Sequence, residues 1–506
     1  MPPSASAGWR VKRWFWNTLT TLKFRGEVPT VIGAPHPEPR KIRLVPFRSQ
    51  YPEIPIGGAV VADEVPADEV EQKKVVFTKL QHRLLGWIPP TGPGAPPVPA
   101  AAEVALNDAY TPAHRRCFPA PVRPSEVGLG ALAVASPYAS YLHATGPGTF
   151  RWDLSVLADF ECHAGLVPLG AVVDFALDAS TGALEPVRIE MNGSSAQPGA
   201  SEWADAARMA VCSITTHAAM VRHFNWLHLT AGQPIEAATR NRLPDNHPIR
   251  RLLWPHVFGT HAGNALVTDV LLAPGGDFEG IFSFTHRGMC ELFDATSTSF
   301  DLASINPILD SSRRGITGTG VATPAADNWS SLYAVMVGHA QRYLAVYYAS
   351  DEAVAADAAL GAWIEDLDQF LPNGTRGVLG DTVTAAGVAS LLATVIYLAT
   401  VEHEITGSGL WNYQLWNDTS PVRIYEDGRR VSVDVYQRLV NANLTLNVHR
   451  TMLLNDAVIG VALDERGADA FREFQQDLLG LQARLDRGTP APWRLEPRNL
   501  KANINA

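Results

Sequence analysis

VCSITTHAAMVRHFNWLHLTAG, residues Val211–Gly232, is the stretch that decides the fold. It reads as a buried helix, yet it contains three histidines, His217, His223 and His228. The last two are five residues apart, and on a regular α-helix only residues three or four apart share a face. A π-helical turn is wider, and such turns concentrate at functional sites. Two interpretations stay open: ordinary hydrogen-bonded histidines that point in two directions, or a distorted helix that presents both imidazoles to one metal ion.

Helical periodicity dominates the chain after Ser201, and the first helix predicted there carries the histidine pair. Before it, residues 127–185 alternate short apolar runs with Gly, Asp and Ser, which predicts a few strands and hairpins. Gly280–Ala295 is the exception in the helical part, because its sequence predicts strand or irregular structure. The proline-rich residues 89–102 are the best candidate boundary in the chain. The pattern predicts a mainly α fold with small β elements.

A further histidine belongs to the helix predicted over residues 384–407. Ala399, His403 and Gly407 recur every fourth residue on it, so His403 should face the interior. It is either a core histidine bonded to a carbonyl or a third imidazole for the same metal. Three imidazoles suit zinc, iron and copper about equally, so the ligand type does not fix the metal.

Composition limits the function classes. The chain has 506 residues and a net charge of -10, which argues against nucleic acid as a partner. Four scattered cysteines without CxxC spacing favour a reducing, cytoplasmic compartment. Residues 388–401 are too short to span a bilayer comfortably and predict a buried core helix. Residues 9–25 form an aromatic, basic, amphipathic pattern, which either contacts a membrane surface peripherally or packs on its own domain.

The stretch His223–Leu272 resembles the iron-binding core of the lipoxygenases. The elements that carry the resemblance are HFNWLH at 223–228, HP at 247–248, LLWPH at 252–256 and a Thr260 followed by NAL at 264–266. VIYLATVEHEITG is similar to the family's helix that bears the third histidine, which corresponds to His403. The segment LKANINA, residues 500–506, lies in register with the family's C-terminal segment.

The resemblance implies a large helical catalytic domain, residues 129–506, around a long π-bulged central helix with small β-hairpin elements. Residues 1–128 would be an extended and helical wrapping segment without the family's N-terminal lipid-binding PLAT β-barrel. It also implies a non-heme metal, iron with manganese as the alternative. We expect a monomer, although the sequence does not determine the oligomeric state. The implied ligands are His223, His228, His403 and the terminal carboxylate of Ala506.

The chain departs from the family pattern at several positions. Gly407 stands where the family has Asn, His or Ser, so a water molecule could fill that ligand position. Glu402 and Glu404 flank His403, as outer hydrogen-bond acceptors or as a solvated helix edge. Val267 takes the place of the small residue that controls oxygen insertion in the family. A valine there would narrow the path by which O2 reaches the substrate.

Two further positions complete the implied substrate site. Leu271 corresponds to a leucine that shields the reacting carbon, although Leu271 and Val267 could equally be plain core residues. Arg423 meets either a substrate carboxylate or a partner in a surface salt bridge.

Two function classes follow. The first is a dioxygenase that abstracts a hydrogen atom from a polyunsaturated fatty acid, or a related apolar substrate, and inserts O2. The second is a lipoxygenase-fold protein with a diverged oxidative role on another small molecule, or an altered membrane-binding homologue. A hydrolytic zinc enzyme is weaker, because His403-Glu404 does not continue into HExxH. The natural substrate and the regio- and stereochemistry of oxygenation cannot be read from the sequence.

Overall fold

The computed structural model of the protein describes residues 32–38, 40–70, 124–407, 413–414, 420–432, 435, 438–439, 442, 451–489 and 493–504. The amphipathic residues 9–25, the proline-rich residues 89–102 and Ala506 lie outside these ranges. The division into residues 1–128 and 129–506 therefore stays a prediction.

One long helix crosses the fold, and we call it the central helix. It consists of the α-helix Trp203–His217, the π-helix Ala218–Gly232 and the α-helix Gln233–Arg242, which follow one another without a break. Nearly all of its middle part is buried. The predicted π-distortion is therefore present in the structure, and it covers the whole HFNWLH motif.

Helices make up most of the described residues. The α-helices are α1 Pro124–Leu132, α2 Trp203–His217, α3 Gln233–Arg242, α4 Pro248–Val257, α5 Thr260–Val267, α6 Asp277–Ile281, α7 His286–Ser297, α8 Pro307–Arg313, α9 Pro324–Tyr347, α10 Asp351–Ala355, α11 Ala358–Phe370, α12 Arg376–Leu379, α13 Ala385–Tyr397, α14 His403–Thr406, α15 Asp456–Ile459 and α16 Glu465–Arg487. Further π-helical turns are Thr268–Leu272 and Leu398–Glu402, and the 3₁₀ turns are Ala67–Glu69, Pro137–Tyr141, Ser155–Asp159, Leu302–Ser304 and Pro497–Asn499. The mainly α fold class is confirmed.

The β elements are small. β1 (Leu44–Pro46) and β2 (Val60–Ala62) pair with each other, and an antiparallel meander contains β3 (His143–Gly146), β4 (Thr149–Asp153), β5 (Ala171–Leu177), β6 (Leu184–Met191) and β7 (Ser194–Ala196) in that order. In the meander Trp152 lies opposite Val173, and both are fully buried. That face packs under α2, as alternation of apolar and polar residues requires. The hairpins predicted before the central helix are confirmed.

The prediction for Gly280–Ala295 was wrong. Its aromatic and β-branched residues have strand propensity, but most of the stretch lies in α6 and α7. Thr285 accepts a hydrogen bond from the backbone N–H of Gly288 and so caps α7. Burial of one apolar face of α7 against the central helix outweighs local propensity, as tertiary contacts often do.

The N-terminal residues that the structure describes are extended and lie along the central helix. Asn241 accepts a hydrogen bond from the Ile42 N–H at 2.8 Å, and Gln233 accepts one from the Ala62 N–H at 3.1 Å. This part of the chain is fastened to the C-terminal part of the central helix.

The helix that carries His403 lies in the core. Ala385–Thr406 is long and apolar enough to cross a membrane by composition, but 78% of its most apolar window is buried within the fold. It packs against α9, and α9 packs in turn against α16. Residues 388–401 are thus a core segment, as predicted, and the three described cysteines, Cys162, Cys212 and Cys290, are free.

Candidate metal centre

Three imidazoles from two distant segments converge in the core. The Nε2 atoms of His223 and His228 are 3.1 Å apart, and those of His228 and His403 are 3.3 Å apart. The ring centroids of His223 and His403 are 4.8 Å apart. Within the part of the chain that the structure describes, these three residues are the group of histidine, cysteine or acidic side chains placed to hold a metal ion.

The π-helix is what aligns the first two imidazoles. Its wider turn places residues five apart on one face, which an α-helix does not do. Side chains next to the histidines fasten this stretch to α7: the Asn225 amide donates to the Phe293 carbonyl at 3.0 Å, and the Trp226 indole donates to the Thr296 carbonyl at 2.8 Å. The distortion is therefore held by tertiary contacts on its opposite side.

The surroundings keep the imidazoles neutral. Burial lowers the pKa of His228 to about 4, and burial also lowers the pKa values of His223 and His403 well below the ordinary value. The positive charge of Lys501 pushes all three pKa values in the same direction. A neutral imidazole has a free lone pair, which is the form that binds metals.

Asn264, on α5, fixes the orientation of His228. Its Oδ1 atom lies 2.7 Å from His228 Nδ1, and its amide donates to the His228 carbonyl at 2.5 Å. The Nδ1 atom therefore carries the proton, and the Nε2 lone pair points at the other two imidazoles. Sequence reasoning used Asn264 only as part of a motif and assigned it no role; a polar residue in an apolar helix was the available signal.

The C-terminal segment is anchored beside the same helix. His256 donates from Nδ1 to the Ala502 carbonyl at 2.7 Å, and Ala502 N–H donates to the Thr451 carbonyl at 2.8 Å. A Cβ atom on Gly232 would lie 2.8 Å from Cδ1 of Ile504, so the segment contacts the π-helix directly. The two remaining residues, among them Ala506, are outside the described ranges.

The donor set fits a metal ion. Metal–imidazole bonds of about 2.1 Å with bond angles near 90–109° place ligand nitrogens roughly 3.0–3.4 Å apart. The two distances of 3.1 and 3.3 Å fall in that interval. Without a cation, the neutral nitrogen atoms would bring lone pairs together in a buried space, which is unfavourable.

Comparison with known proteins points to one family. No protein-family model matches the chain. It is 25% identical over 270 residues to a polyunsaturated fatty acid (12S)/(13S)-lipoxygenase, epidermal-type, of Mus musculus, a match that covers 50% of this chain and 40% of the relative. It is 26% identical over 205 residues to the hydroperoxide isomerase ALOXE3 of Homo sapiens, covering 39% of this chain and 28% of the relative. The matches thus span less than half the length of these curated relatives.

Solved structures agree over nearly the whole chain. The manganese lipoxygenase of Gaeumannomyces graminis superposes with a TM-score of 0.74 at 13% identity, covering 98% of both chains. Coral 8R-lipoxygenase superposes with a TM-score of 0.70 at 12% identity, covering 100% of this chain and 82% of that one. The chain has the lipoxygenase fold, and its sequence is similar to those of lipoxygenases.

The side-chain ligand that lipoxygenases usually have at the position of Gly407 has no room in this chain. A Cβ atom there would lie 2.9 Å from His223 Cε1 and 2.6 Å from the His403 carbonyl oxygen. The imidazole of His223 thus occupies the space in which a side chain would begin. Gly407 is a steric requirement of this centre as well as a missing ligand.

The two glutamates beside His403 are not a solvated helix edge, because both are buried. Glu402 accepts a hydrogen bond from the Arg222 guanidinium at 2.7 Å. Glu404 forms an ion pair with Lys501 at 3.2 Å. Sequence reasoning missed Arg222 and Lys501 as members of the site, although Arg222 stands directly before the first histidine.

The residues assigned to substrate by resemblance are also interior. Val267 ends α5 with 6% of its surface exposed, and Leu271 is buried in the π-turn that follows. The structure places both in the hydrophobic core next to the histidine centre's helix, since α5 packs on the π-helix. Their contact with substrate stays a proposal.

Arg423 is an interior residue and does not lie at the surface. Its guanidinium is buried and donates to the carbonyls of Ile281 and Phe282, at the end of α6. It also lines a cavity of about 770 Å³, together with Tyr51, His286 and others. Burial lowers the pKa of Arg423 to about 10, although Tyr425 acts in the opposite direction.

Proposed function

We propose that the chain is a non-heme metal dioxygenase of the lipoxygenase type, acting on a polyunsaturated fatty acid or a related apolar substrate. The observation that carries the proposal is the convergence of three neutral imidazoles on one point, in a fold shared with lipoxygenases over most of its length. One structural neighbour was solved in complex with arachidonate, at a TM-score of 0.73.

The proposed ligands are His223, His228, His403 and the carboxylate of Ala506. Mixed imidazole and carboxylate ligation with open positions suits redox-active iron or manganese. A metal of this kind, when bound, would supply hydrogen-atom abstraction from a carbon between two double bonds and so permit O2 to add there. The position of Ile504 against Gly232 supports the terminal carboxylate as the fourth donor.

The protein's own part is to hold the donors and to keep water away. Asn264 fixes the tautomer of His228, and the neutral state of each imidazole follows from burial. The ring of Phe224 stacks on His228 at 5.4 Å between centroids, and Phe278 contacts Phe224 edge-on. Such an apolar wall suits a substrate that is a hydrocarbon chain, which binds by exclusion from water. Val267 and Leu271 are proposed to contact it.

The test is direct. The purified chain should contain about one iron or manganese per molecule by elemental analysis, and linoleate with O2 should give a conjugated diene that absorbs in the ultraviolet. The His403→Ala protein is the matched control, because it removes one proposed ligand. Bound metal without diene formation would refute fatty-acid dioxygenation and retain the metal centre.

The fourth ligand needs its own test. One glycine added after Ala506 should lower metal content, because it displaces the carboxylate. A control with one glycine inserted after Gly318, in an exposed turn, should retain wild-type metal content. An extended chain with unchanged metal content and turnover would remove the terminus from the ligand set.

Isomerisation of a lipid hydroperoxide is the second candidate. It is favoured by the buried valine at position 267, which narrows the proposed path of O2, and by the similarity to a protein named as a hydroperoxide isomerase. Linoleate hydroperoxide offered without O2 distinguishes the two. Consumption of the hydroperoxide without diene formation from linoleate would favour isomerisation.

Monomeric state, cytoplasmic location and peripheral membrane contact through residues 9–25 remain proposals. Sedimentation of the chain with anionic vesicles, compared with a variant in which Trp14 and Trp16 are replaced by serine, tests the membrane contact. Equal sedimentation of both would reject it.

A further inference from the structure

His403 stands between two buried carboxylates, Glu402 and Glu404. Acidic side chains are almost never fully buried unless they are paired. Each of these two has a cationic partner on a different segment of the chain, and each of those segments belongs to the proposed metal centre. The two ion pairs therefore join the helix of His403 to the π-helix and to the C-terminal segment, through the residues on either side of His403.

The first pair joins the two histidine helices. Arg222 directly precedes His223, and Glu402 directly precedes His403; the Arg222 Nη2 atom donates to Glu402 Oε1 at 2.7 Å. The other arm of Arg222 donates to the Ser140 hydroxyl at 2.5 Å, and the guanidinium lies 5.2 Å from the centre of the Tyr141 ring. Glu402, Ser140 and Tyr141 all contact the Arg222 guanidinium, and these contacts fix its orientation in the ion pair.

The second pair joins the His403 helix to the C-terminal segment. Lys501 Nζ lies 3.2 Å from Glu404 Oε1, and both side chains are at least 98% buried. The backbone of Lys501 is fixed by a bridge to Met452. The same Glu404 oxygen is 4.0 Å from His403 Nδ1, the ring nitrogen that faces away from the other imidazoles.

We propose that Glu402 and Glu404 are positioning residues for the metal centre. Glu402, through Arg222, fixes the His403 helix against the π-helix that carries His223. Glu404, through Lys501, fixes the same helix against the C-terminal segment and places a carboxylate oxygen 4.0 Å from Nδ1 of His403. This inference rests on the proposed function.

Energetics favour placement over stability as the role of these pairs. A buried ion pair often adds little stability compared with apolar residues of the same volume, because both charges lose water. Metal ligands, in contrast, lose about 10–100-fold in metal affinity when the groups that orient them are removed. Three distant segments must meet at the proposed cation, and the two ion pairs hold these segments in fixed relative positions.

The experiment uses the full-length, metal-free chain titrated with Co²⁺, whose visible absorption reports the ligand geometry. Glu402→Gln and Glu404→Gln keep size and remove charge. Glu236→Gln is the matched control, because Glu236 is a fully buried carboxylate that pairs with Arg240 on the same central helix, away from the imidazoles.

We expect Co²⁺ to bind each of the two variants about 10–100-fold more weakly than wild type, with altered Co²⁺ absorption bands. The control should lose stability to urea and keep wild-type Co²⁺ affinity and spectrum. If either glutamine variant fails to fold, a double variant that exchanges the two charges, Glu404→Lys with Lys501→Glu, is used instead. It should bind Co²⁺ about tenfold more tightly than the single variant Glu404→Lys.

Wild-type Co²⁺ affinity and spectra in both glutamine variants would overturn the positioning role and leave the metal centre intact. So would an exchange variant no better than Glu404→Lys alone. A wild-type chain that binds neither Co²⁺ nor iron would instead overturn the proposed function, and the inference with it.

Discussion

The central helix carries two polar clusters that differ in one respect. At its C-terminal end, Arg240 contacts Glu38 at 2.8 Å, Glu69 at 2.5 Å and Glu236 at 3.1 Å, with Asp68 also in the group. Every group in this cluster faces a partner of opposite charge or a hydrogen-bond donor. About three turns earlier, the imidazoles face one another across 3.1–3.3 Å with no opposite charge between them.

The difference separates a structural cluster from a functional one. Buried polar groups in stable folds are normally satisfied by protein partners, so a set that is not satisfied requires an explanation. The Arg240 cluster is complete, and it fastens Glu38, Asp68 and Glu69 to the central helix. The proposed cation would complete the histidine cluster. Four substitutions, from the largest expected effect to the smallest, test this contrast.

His403→Ala should abolish metal retention. It removes one of three converging nitrogens, which should cost more than the about 100-fold that loss of an outer hydrogen-bond partner costs. Elemental analysis after dialysis against a chelator measures the effect. Full metal occupancy in the variant would mean that the three imidazoles do not share an ion.

Arg240→Met should destabilise the fold by about 3–5 kcal/mol and leave metal affinity unchanged. It strands several buried carboxylates without their cation, and an uncompensated buried charge carries a cost of that size. Urea unfolding and metal titration of the same protein provide both values. A loss of metal affinity comparable to that of His403→Ala would erase the distinction between the two clusters.

Gly407→Asn should weaken metal binding by about 10–100-fold, although it supplies a side chain of the family's ligand type. The new Cβ atom would lie 2.9 Å from His223 Cε1, so the imidazole must move. Chelator competition measures the affinity, with Gly460→Asn as a control at a site whose nearest contacts are at 3.6 Å. Tighter metal binding in the variant would show that asparagine can be accommodated as a fourth side-chain ligand.

Val267→Ala should have the smallest effect on the fold, about 1–2 kcal/mol for the loss of two buried methyl groups. Its chemical effect should be a change in the position or hand of oxygen insertion, with metal content unchanged. Chiral chromatography of the products is the measurement. An identical product distribution would mean that Val267 is a core residue without a role in oxygen insertion.

Some parts of this structure can be predicted from the sequence, and others cannot. The long central helix, the hairpins before it and the interior face of His403 follow from periodicity, because burial of one face leaves a pattern in the chain. The spacing of His223 and His228 left a π-distorted helix as one of two interpretations, and the resemblance to the lipoxygenases implied it. These features are local, so neighbouring residues are enough to reveal them.

The parts that could not be predicted depend on contacts between distant residues. Nothing near Arg222 in the chain indicates that its partner is Glu402, and the helices α6 and α7 form against their local propensity because the core covers them. The room left at Gly407 is likewise set by His223, which lies far away in sequence. Long-range packing decides such features, and a single sequence carries no direct record of it.

The anchoring of Ala502 by His256 has a consequence for the order in which the molecule assembles. These two residues are 246 positions apart, and His228 and His403 are 175 positions apart. Contacts of such separation form late, because a long loop must close before they contribute. During translation the three imidazoles therefore cannot meet until His403 has been synthesised, 175 residues after His228.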